Sequence, residues 1–367
     1  MDGIFFELIR VSIGTQDGLS QIPSTDDWDK LYDMAEKQTL VGVCFAGLSK
    51  LGADSVSGFA SIGMSEEQFY KWMGRAVQIQ EWNEIANLRC VELQKILLSA
   101  GFQSCILKGQ GNALLYEKEL WGLRQSGDID VWLWCNGSLK ERRRKIIEYA
   151  RSLTPNAKAV IHHIDGKVFN DIETEFHYLP SWFYSPISHH SFLRWCESQA
   201  EMQMTHKVGE IIVPTVYFNS IYLLTHIKHH LFQEGIGLRQ LMDYFGVLKA
   251  PESKKIDRAE WMETVNSFGL RKFAGAIMWI MQEQFGLKQE YLLCEPIAKE
   301  GTMLLNEILE GGNFGRYRGG VGVRRRNVVV RGLNSIRRIN GFLLHYPSEV
   351  LWAPFWKLWH WFARKRF

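Results

Sequence analysis

Two carboxylates two residues apart, Asp128 and Asp130, open a run of strand formers, Ile129-Asp130-Val131-Trp132-Leu133-Trp134. Upstream, Lys108-Gly109-Gln110-Gly111 is a glycine turn leading into a stretch that reads as a helix. Paired hard oxygen donors suit a divalent cation such as Mg²⁺ or Mn²⁺, and a glycine turn at a helix N-terminus offers free N–H groups to a phosphate. Together they imply metal-assisted chemistry on a nucleotide phosphate. The strand assignment decides whether the pair can work. In a strand, Asp128 and Asp130 share one face, roughly 6.6 Å apart at Cα, while Ile129, Val131 and Leu133 point into the core. On a helix the two would splay by about 200° and could not share an ion. An Asp-x-Asp pair alone also fits solvated loop acids; Gly127, Arg124 and the Lys108-Gly109 turn in the right order raise it above that.

Leu107-Lys108-Gly109 through Asp128-Ile129-Asp130-Val131 resembles the DNA polymerase beta type nucleotidyltransferase superfamily. More narrowly it is similar to a largely uncharacterised bacterial nucleotidyltransferase family whose members read Lys-Gly, a helix, an Arg, then Asp-Ile-Asp. The superfamily pattern is a Gly-Ser or Gly-Gly turn, a short helix, a strand with Asp-x-Asp, and a third acid on a later strand. Here the turn lacks the serine, and the segment leading to Asp128 is longer than in compact members.

A third acid is expected downstream. Asp165-Gly166, between Lys158–Ile164 and Lys167–Tyr178, predicts a tight hairpin turn. On its second strand Glu173, Glu175 and His177 share one face. Glu175-Phe176-His177-Tyr178 matches the acid, gap, histidine and aromatic of the narrower family, which selects Glu175 with Glu173 as its rival. The resemblance implies that Asp128 and Asp130 hold Mg²⁺, that Glu175 completes the metal set and helps deprotonate an acceptor hydroxyl, and that Lys108, Gly109, Gly111 and Arg124 contact the phosphates of an NTP, with ATP expected. Lys108 also fits a surface cap on the end of a strand.

Beyond these motifs the chain reads as helical. Ser24-Thr25-Asp26-Asp27 and Ser65-Glu66-Glu67-Gln68 are helix starts, and Trp72, Val77, Ile79, Trp82, Ile85, Leu88, Leu93, Ile96 and Leu97 recur at helical steps. Val216–His230 and Leu238–Leu248 predict a helical pair. The first carries His226, His229 and His230, at a spacing that also admits zinc; the second carries Arg239 and Asp243 at i,i+4, able to pair locally. His226, His229, Arg239 and Asp243 line either an active cleft or a polar seam between helices.

The Arg-rich segment from Gly311 to Arg326 interleaves glycine and aromatics. That pattern suits nucleic acid, but the net charge of +3 leaves the chain nearly balanced, which favours a loop near the cleft or an interface. Leu351–Phe362 is aromatic at helical steps and ends in a basic cluster. Its expected place is packed on the protein, with peripheral membrane contact or a dimer seam as alternatives. Six scattered cysteines show no paired spacing, so neither disulfide frame nor zinc knuckle is indicated. Without a basic leader and apolar run at the N-terminus, the cytoplasm is the expected location.

The expected architecture is α+β: a small mixed β-sheet nucleotidyltransferase core at 99–213 between a helical region at 1–98 and a helical domain at 214–367. The expected reaction moves an NMP from an NTP to an acceptor hydroxyl on a small molecule or protein. A catalytically inactive nucleotide-binding or antitoxin-like interaction protein, and an RNA- or membrane-associated scaffold, are the competing classes. Acceptor, base preference and oligomeric state stay open.

Overall fold

A computed structural model of the chain describes residues 1–52, 56–313 and 342–364, with side chains described at 1–52, 58–313 and 342–356. Five helices come first: α1 (Asp2–Ser12), α2 (Thr25–Gln38), α3 (Val41–Lys50), α4 (Val56–Ser61) and α5 (Glu66–Ser99). Strand β1 (Gln103–Ile106), the single turn α6 (Gln110–Ala113), β2 (Ile129–Trp134), α7 (Leu139–Leu153), β3 (His163–Asp165) and β4 (Thr174–His177) form the middle of the chain. After α8 (Pro186–Gln203) and a two-stranded ribbon, β5 (Lys207–Val208) and β6 (Ile211–Ile212), come α9 (Val216–Gln233), α10 (Leu238–Lys249), α11 (Arg258–Ser267), α12 (Arg271–Glu283) and α13 (Ala298–Gly311). A last helix runs over Pro347–Arg364. The fold is α+β, a small mixed sheet among helices, as the sequence predicts.

The helix starts follow local chemistry. Ser24, Ser65 and Ser138 each accept from the backbone N–H three residues on, while Asp27, Gln68 and Glu141 reach back to cap the first residue. Each box satisfies two donors that the helix itself cannot. On α5 the apolar periodicity overstates burial: Trp72, Ile79, Leu93 and Leu97 are buried, but Val77, Ile85 and above all Leu88 face outward.

The four-stranded sheet has the order β1-β2-β4-β3. β1 pairs antiparallel with β2, β2 runs parallel to β4, and β3 closes the edge antiparallel to β4. The parallel step needs a crossover, which α7 supplies. Strand alternation splits β2 as expected. Ile129, Val131 and Leu133 join a core with Leu93 and Leu97 of α5, Ile146 of α7 and Phe176 of β4. On the opposite face Trp132 stacks on Phe218 of α9, with ring centroids 5.7 Å apart. That second core is continuous from α1 to the last helix, so the helices at both ends of the chain share one interior.

Two local expectations are corrected. Asp165-Gly166 makes no two-residue turn: β3 stops at Asp165, β4 starts at Thr174, and the intervening loop is closed where the Gly166 N–H donates to the Thr174 carbonyl. Gly166 is needed for space, because a Cβ there would lie 2.2 Å from the buried Phe176 ring. Of the predicted Lys158–Ile164 strand only His163 and Ile164 pair in the sheet, and Asp165, expected in the turn, extends the strand by one residue. The last helix continues through Pro354. Trp356 stacks on Trp182 at 5.5 Å, while Leu351, Trp352 and Phe355 face outward. No helix among the described residues is long and apolar enough to cross a membrane. All six cysteines are free thiols. Of the Gly/Arg segment, only Gly311, Gly312 and Asn313 fall within the described residues.

Candidate active site

Register builds the site. Asp130, second residue of β2, pairs directly with Glu175 of β4, so two carboxylates from parallel strands lie side by side on one face. Both open onto a cavity of about 400 Å³ that Asp128, Lys108, Gly109, His177 and Arg239 also line. Its far wall is α9 and α10, contributing His226, His229 and Asp243. The four residues placed by the sequence at either a cleft or a polar seam, His226, His229, Arg239 and Asp243, therefore all border the cavity.

Asp130 is 3% exposed and is held by two cations. Lys108 Nζ lies 2.8 Å from its Oδ1, and His177 Nε2 lies 3.0 Å from the same oxygen. Burial works to raise the Asp130 pKa, but Lys108 and His177 override it and hold the carboxyl well below its usual range. Burial likewise opposes a charge on His177, yet its contacts with Asp130 and Glu175 push its pKa up to about 9. Lys108 is thus a cavity cation rather than a surface cap. Glu175 Oε2 stands 3.4 Å from His177 Nε2 and 3.5 Å from His163 Nδ1. Glu173 is exposed, does not line the cavity, and meets β2 only through its carbonyl, which accepts from the Ile129 N–H.

Asp128 sits at the mouth. The negative charge of Asp130, and then desolvation, raise its pKa to about 6. Among the described residues, Asp130, Glu175 and His177 have ligand atoms within 4.8 Å of one another; His162, His163 and His177 form a second such group, and His163, Asp165 and Glu175 a third. Asp128 belongs to none of them, nor do His226, His229 or His230, so the spacing on α9 does not itself assemble a zinc site.

A divalent cation fits this donor set. The oxygens of Asp130 and Glu175 converge, and Asp128 lines the same cavity, its carboxyl pushed up chiefly by the Asp130 charge. The same repulsion gives a prediction. A carboxyl whose pKa is raised on folding takes up protons as the chain folds, so native stability falls as pH climbs from about 3.8 to about 6. Asp128→Asn is therefore expected to raise the melting temperature of the metal-free protein at about pH 7.5, with a smaller gain at about pH 4.5. The same substitution should weaken divalent-metal binding. A fall in melting temperature at the higher pH would contradict this account of the mouth.

Of the residues expected at the phosphates, Gly109 borders the cavity, while Gly111 and Arg124 take other roles. Gly109 lines the cavity and takes φ +61°, ψ −112°, a backbone that favours glycine. Gly111 does not line it: the residue is buried, its N–H donates to the Lys108 carbonyl, and a Cβ would meet the Ile106 carbonyl at 2.8 Å. Gly111 serves packing of the turn on β1. With α6 limited to Gln110–Ala113, little helix dipole is available there.

Arg124 is the second departure. It reaches the edge of the cavity but is locked against Asp243, Nε to Oδ1 at 2.6 Å and Nη2 to Oδ2 at 2.7 Å. Asp243 also accepts from Tyr116 at 2.8 Å and from Asn112 at 3.2 Å. The expected local pair between Arg239 and Asp243 does not form. Arg239 donates instead to the Gln125 carbonyl at 2.7 Å, and its Nε is buried without a hydrogen-bond partner. Arg239 is thus a cavity cation with donor capacity left over.

Sequence reasoning assigned no site role to His162, His163, Trp182 or His177. The antiparallel β3–β4 pair sets His163 directly opposite His177, a register that a two-residue turn at Asp165-Gly166 would not produce.

Residues 24–286, well over half of the chain, match the sequence model of a family described as uncharacterised nucleotidyltransferase. No curated protein and no solved structure matches the chain.

Proposed function

Because the chain belongs to this family of nucleotidyltransferases, we propose that it moves an NMP unit from an NTP, with ATP the expected donor, to an acceptor hydroxyl. The observation that carries the reading is the cross-strand pairing of Asp130 with Glu175 in a cavity that Asp128 also enters. The likeness to the DNA polymerase beta type superfamily agrees with that arrangement of three acids. A complete set of acids favours catalysis over nucleotide binding alone.

In the reaction the acceptor oxygen bonds to the α-phosphorus, the bond from that phosphorus to the oxygen bridging toward the β-phosphate breaks, and pyrophosphate leaves with the electron pair. Asp128, Asp130 and Glu175 would hold Mg²⁺ or Mn²⁺, which supplies charge neutralisation on the phosphate oxygens. Glu175, 27% exposed at its side chain, takes the acceptor proton. His177 and Lys108 fix the Asp130 carboxylate in place before substrate arrives. Arg239 replaces Arg124 as the cation facing the phosphates, since Arg124 spends its guanidinium on Asp243.

The two candidate third acids separate in one experiment. Mg²⁺-dependent binding of ATP and GTP is measured by calorimetry for wild type, Glu175→Gln and Glu173→Gln. Glu175→Gln is expected to weaken metal-dependent binding by roughly 10-fold or more, about 1.4 kcal/mol, and Glu173→Gln to leave it unchanged. The reverse pattern, or no effect from either, would remove Glu175 from the site.

A further inference from the structure

Beside the carboxylates and His177, the cavity wall gathers two further imidazoles, His162 and His163, that nucleotidyl transfer does not use. His162 and His163 lie at the start of β3, and His163 faces His177 across the strand pair. Ring centroids are 4.5 Å apart for His162 and His163, 5.1 Å for His163 and His177, and 5.2 Å for His162 and His177. The three rings form a closed triangle.

Atomic spacings give the triangle chemical meaning. His163 Nδ1 is 3.2 Å from His162 Nε2 and 3.5 Å from Glu175 Oε2, and His177 Nε2 is 3.4 Å from that same oxygen. Ligands bonded at about 2.0–2.1 Å to a tetrahedral cation stand about 3.3 Å from one another. All three observed separations lie close to that edge length. The outer nitrogen of His177 is already oriented: Nδ1 lies 3.3 Å from the Leu179 carbonyl, which turns Nε2 toward the carboxylates. Asp165 Oδ1 approaches the far nitrogen of His163 at 3.9 Å, and a carboxylate behind a histidine is the usual outer support of a metal ligand. His162 Nδ1 is shielded from solvent without a hydrogen-bond partner, and its Nε2 meets His163 Nδ1.

We infer that His162, His163 and His177, together with Glu175, form a site for a borderline transition-metal cation of the Zn²⁺ or Co²⁺ class, adjacent to the oxygen-lined site and sharing Glu175 with it. The entering cation takes the place of the Nε2 proton that His177 otherwise gives to Asp130, and that proton leaves to solvent. Imidazole nitrogen selects such ions over Mg²⁺, which prefers oxygen donors. The histidines of α9 are not the site. The His226 and His230 rings meet edge to face with centroids 4.4 Å apart, yet among the described residues neither enters a group of converging ligand atoms. The zinc chemistry that α9 suggests by spacing is placed by the structure on the edge of the sheet.

The test uses the full chain, stripped with a chelator and titrated with Co²⁺ in excess Mg²⁺, with no nucleotide present. Visible absorption is followed for wild type, the double variant His162→Gln/His163→Gln, and the double variant His226→Gln/His230→Gln. Wild type is expected to take up about one Co²⁺ per chain with the intense bands of a low-coordinate nitrogen–oxygen site. The sheet-edge double variant should bind roughly 100-fold more weakly, and the α9 variant should match wild type. Equal binding by the sheet-edge variant, loss confined to the α9 variant, or displacement of Co²⁺ by Mg²⁺ would overturn the proposal. X-ray absorption on Zn²⁺-loaded wild type needs no variant: imidazole scattering is expected, and an all-oxygen shell would refute the site. Because neither measurement involves ATP, failure of the nucleotidyltransferase reading leaves both results interpretable, and ATP binding measured in parallel on the sheet-edge variant separates the two sites.

Discussion

Asp130→Asn is expected to lower metal-dependent nucleotidyl transfer by on the order of 10³-fold, about 4 kcal/mol at the transition state. No other carboxylate here is both cross-strand partner to Glu175 and contact for Lys108 and His177, so its loss dismantles the cation site and releases the groups that orient it. The substitution also has a signature independent of activity. With its pKa raised to about 9, His177 in the wild type contributes stability that is fully present below about pH 6.5 and lost as pH climbs through about 9. Removing the Asp130 charge should flatten that alkaline loss. Melting temperatures of metal-free wild type and variant across this range check it, and an unchanged alkaline slope would show that His177 owes its proton to something else.

Breaking the Arg124–Asp243 pair is expected to give the largest loss of stability. Both side chains are about 5% exposed or less, and the pair ties the segment before β2 to α10 across the rear of the cavity. Burial favours protonated Asp243, but the Arg124 charge and hydrogen bonds outweigh it and hold the pKa low. Arg124→Met strands a buried carboxylate with only Tyr116 and Asn112 as donors, at a cost of about 3–5 kcal/mol. The double replacement Arg124→Met/Asp243→Leu strands no charge and should recover much of that loss. Urea unfolding of the two single variants and the double variant measures the coupling. Additive losses would mean that the pair does not act as a unit.

The parts of this site that could be read from sequence rest on short-range geometry. Alternation along β2 and β4 places Asp130 and Glu175 on their faces, and three serine caps mark α2, α5 and α7, because strand period and capping chemistry act over a few residues. What escaped the sequence acts at a distance. Arg124 meets a partner 119 positions away, and nothing local distinguishes it from a free cation at a cleft. Gly111 looks like a phosphate glycine until β1 and β6 fix what lies above it: the Ile106 carbonyl and the Val213 side chain just past β6. His162 and His163 precede a loop longer than the Asp165-Gly166 hairpin signal predicts, because that glycine answers to the Phe176 ring packed against it and not to a two-residue turn. The apolar positions of α5 follow helical period, but Leu88 and Ile85 lie outside the face that meets β1 and α3.

The most direct measurement is an anomalous-difference map from crystals of the chain grown with Mn²⁺ and a non-hydrolysable ATP analogue. The account predicts Mn²⁺ density between the Asp128, Asp130 and Glu175 carboxylates, with the analogue's phosphates beside Lys108 and Arg239. Nucleotide seated elsewhere, or Mn²⁺ bound away from Asp130 and Glu175, would contradict it.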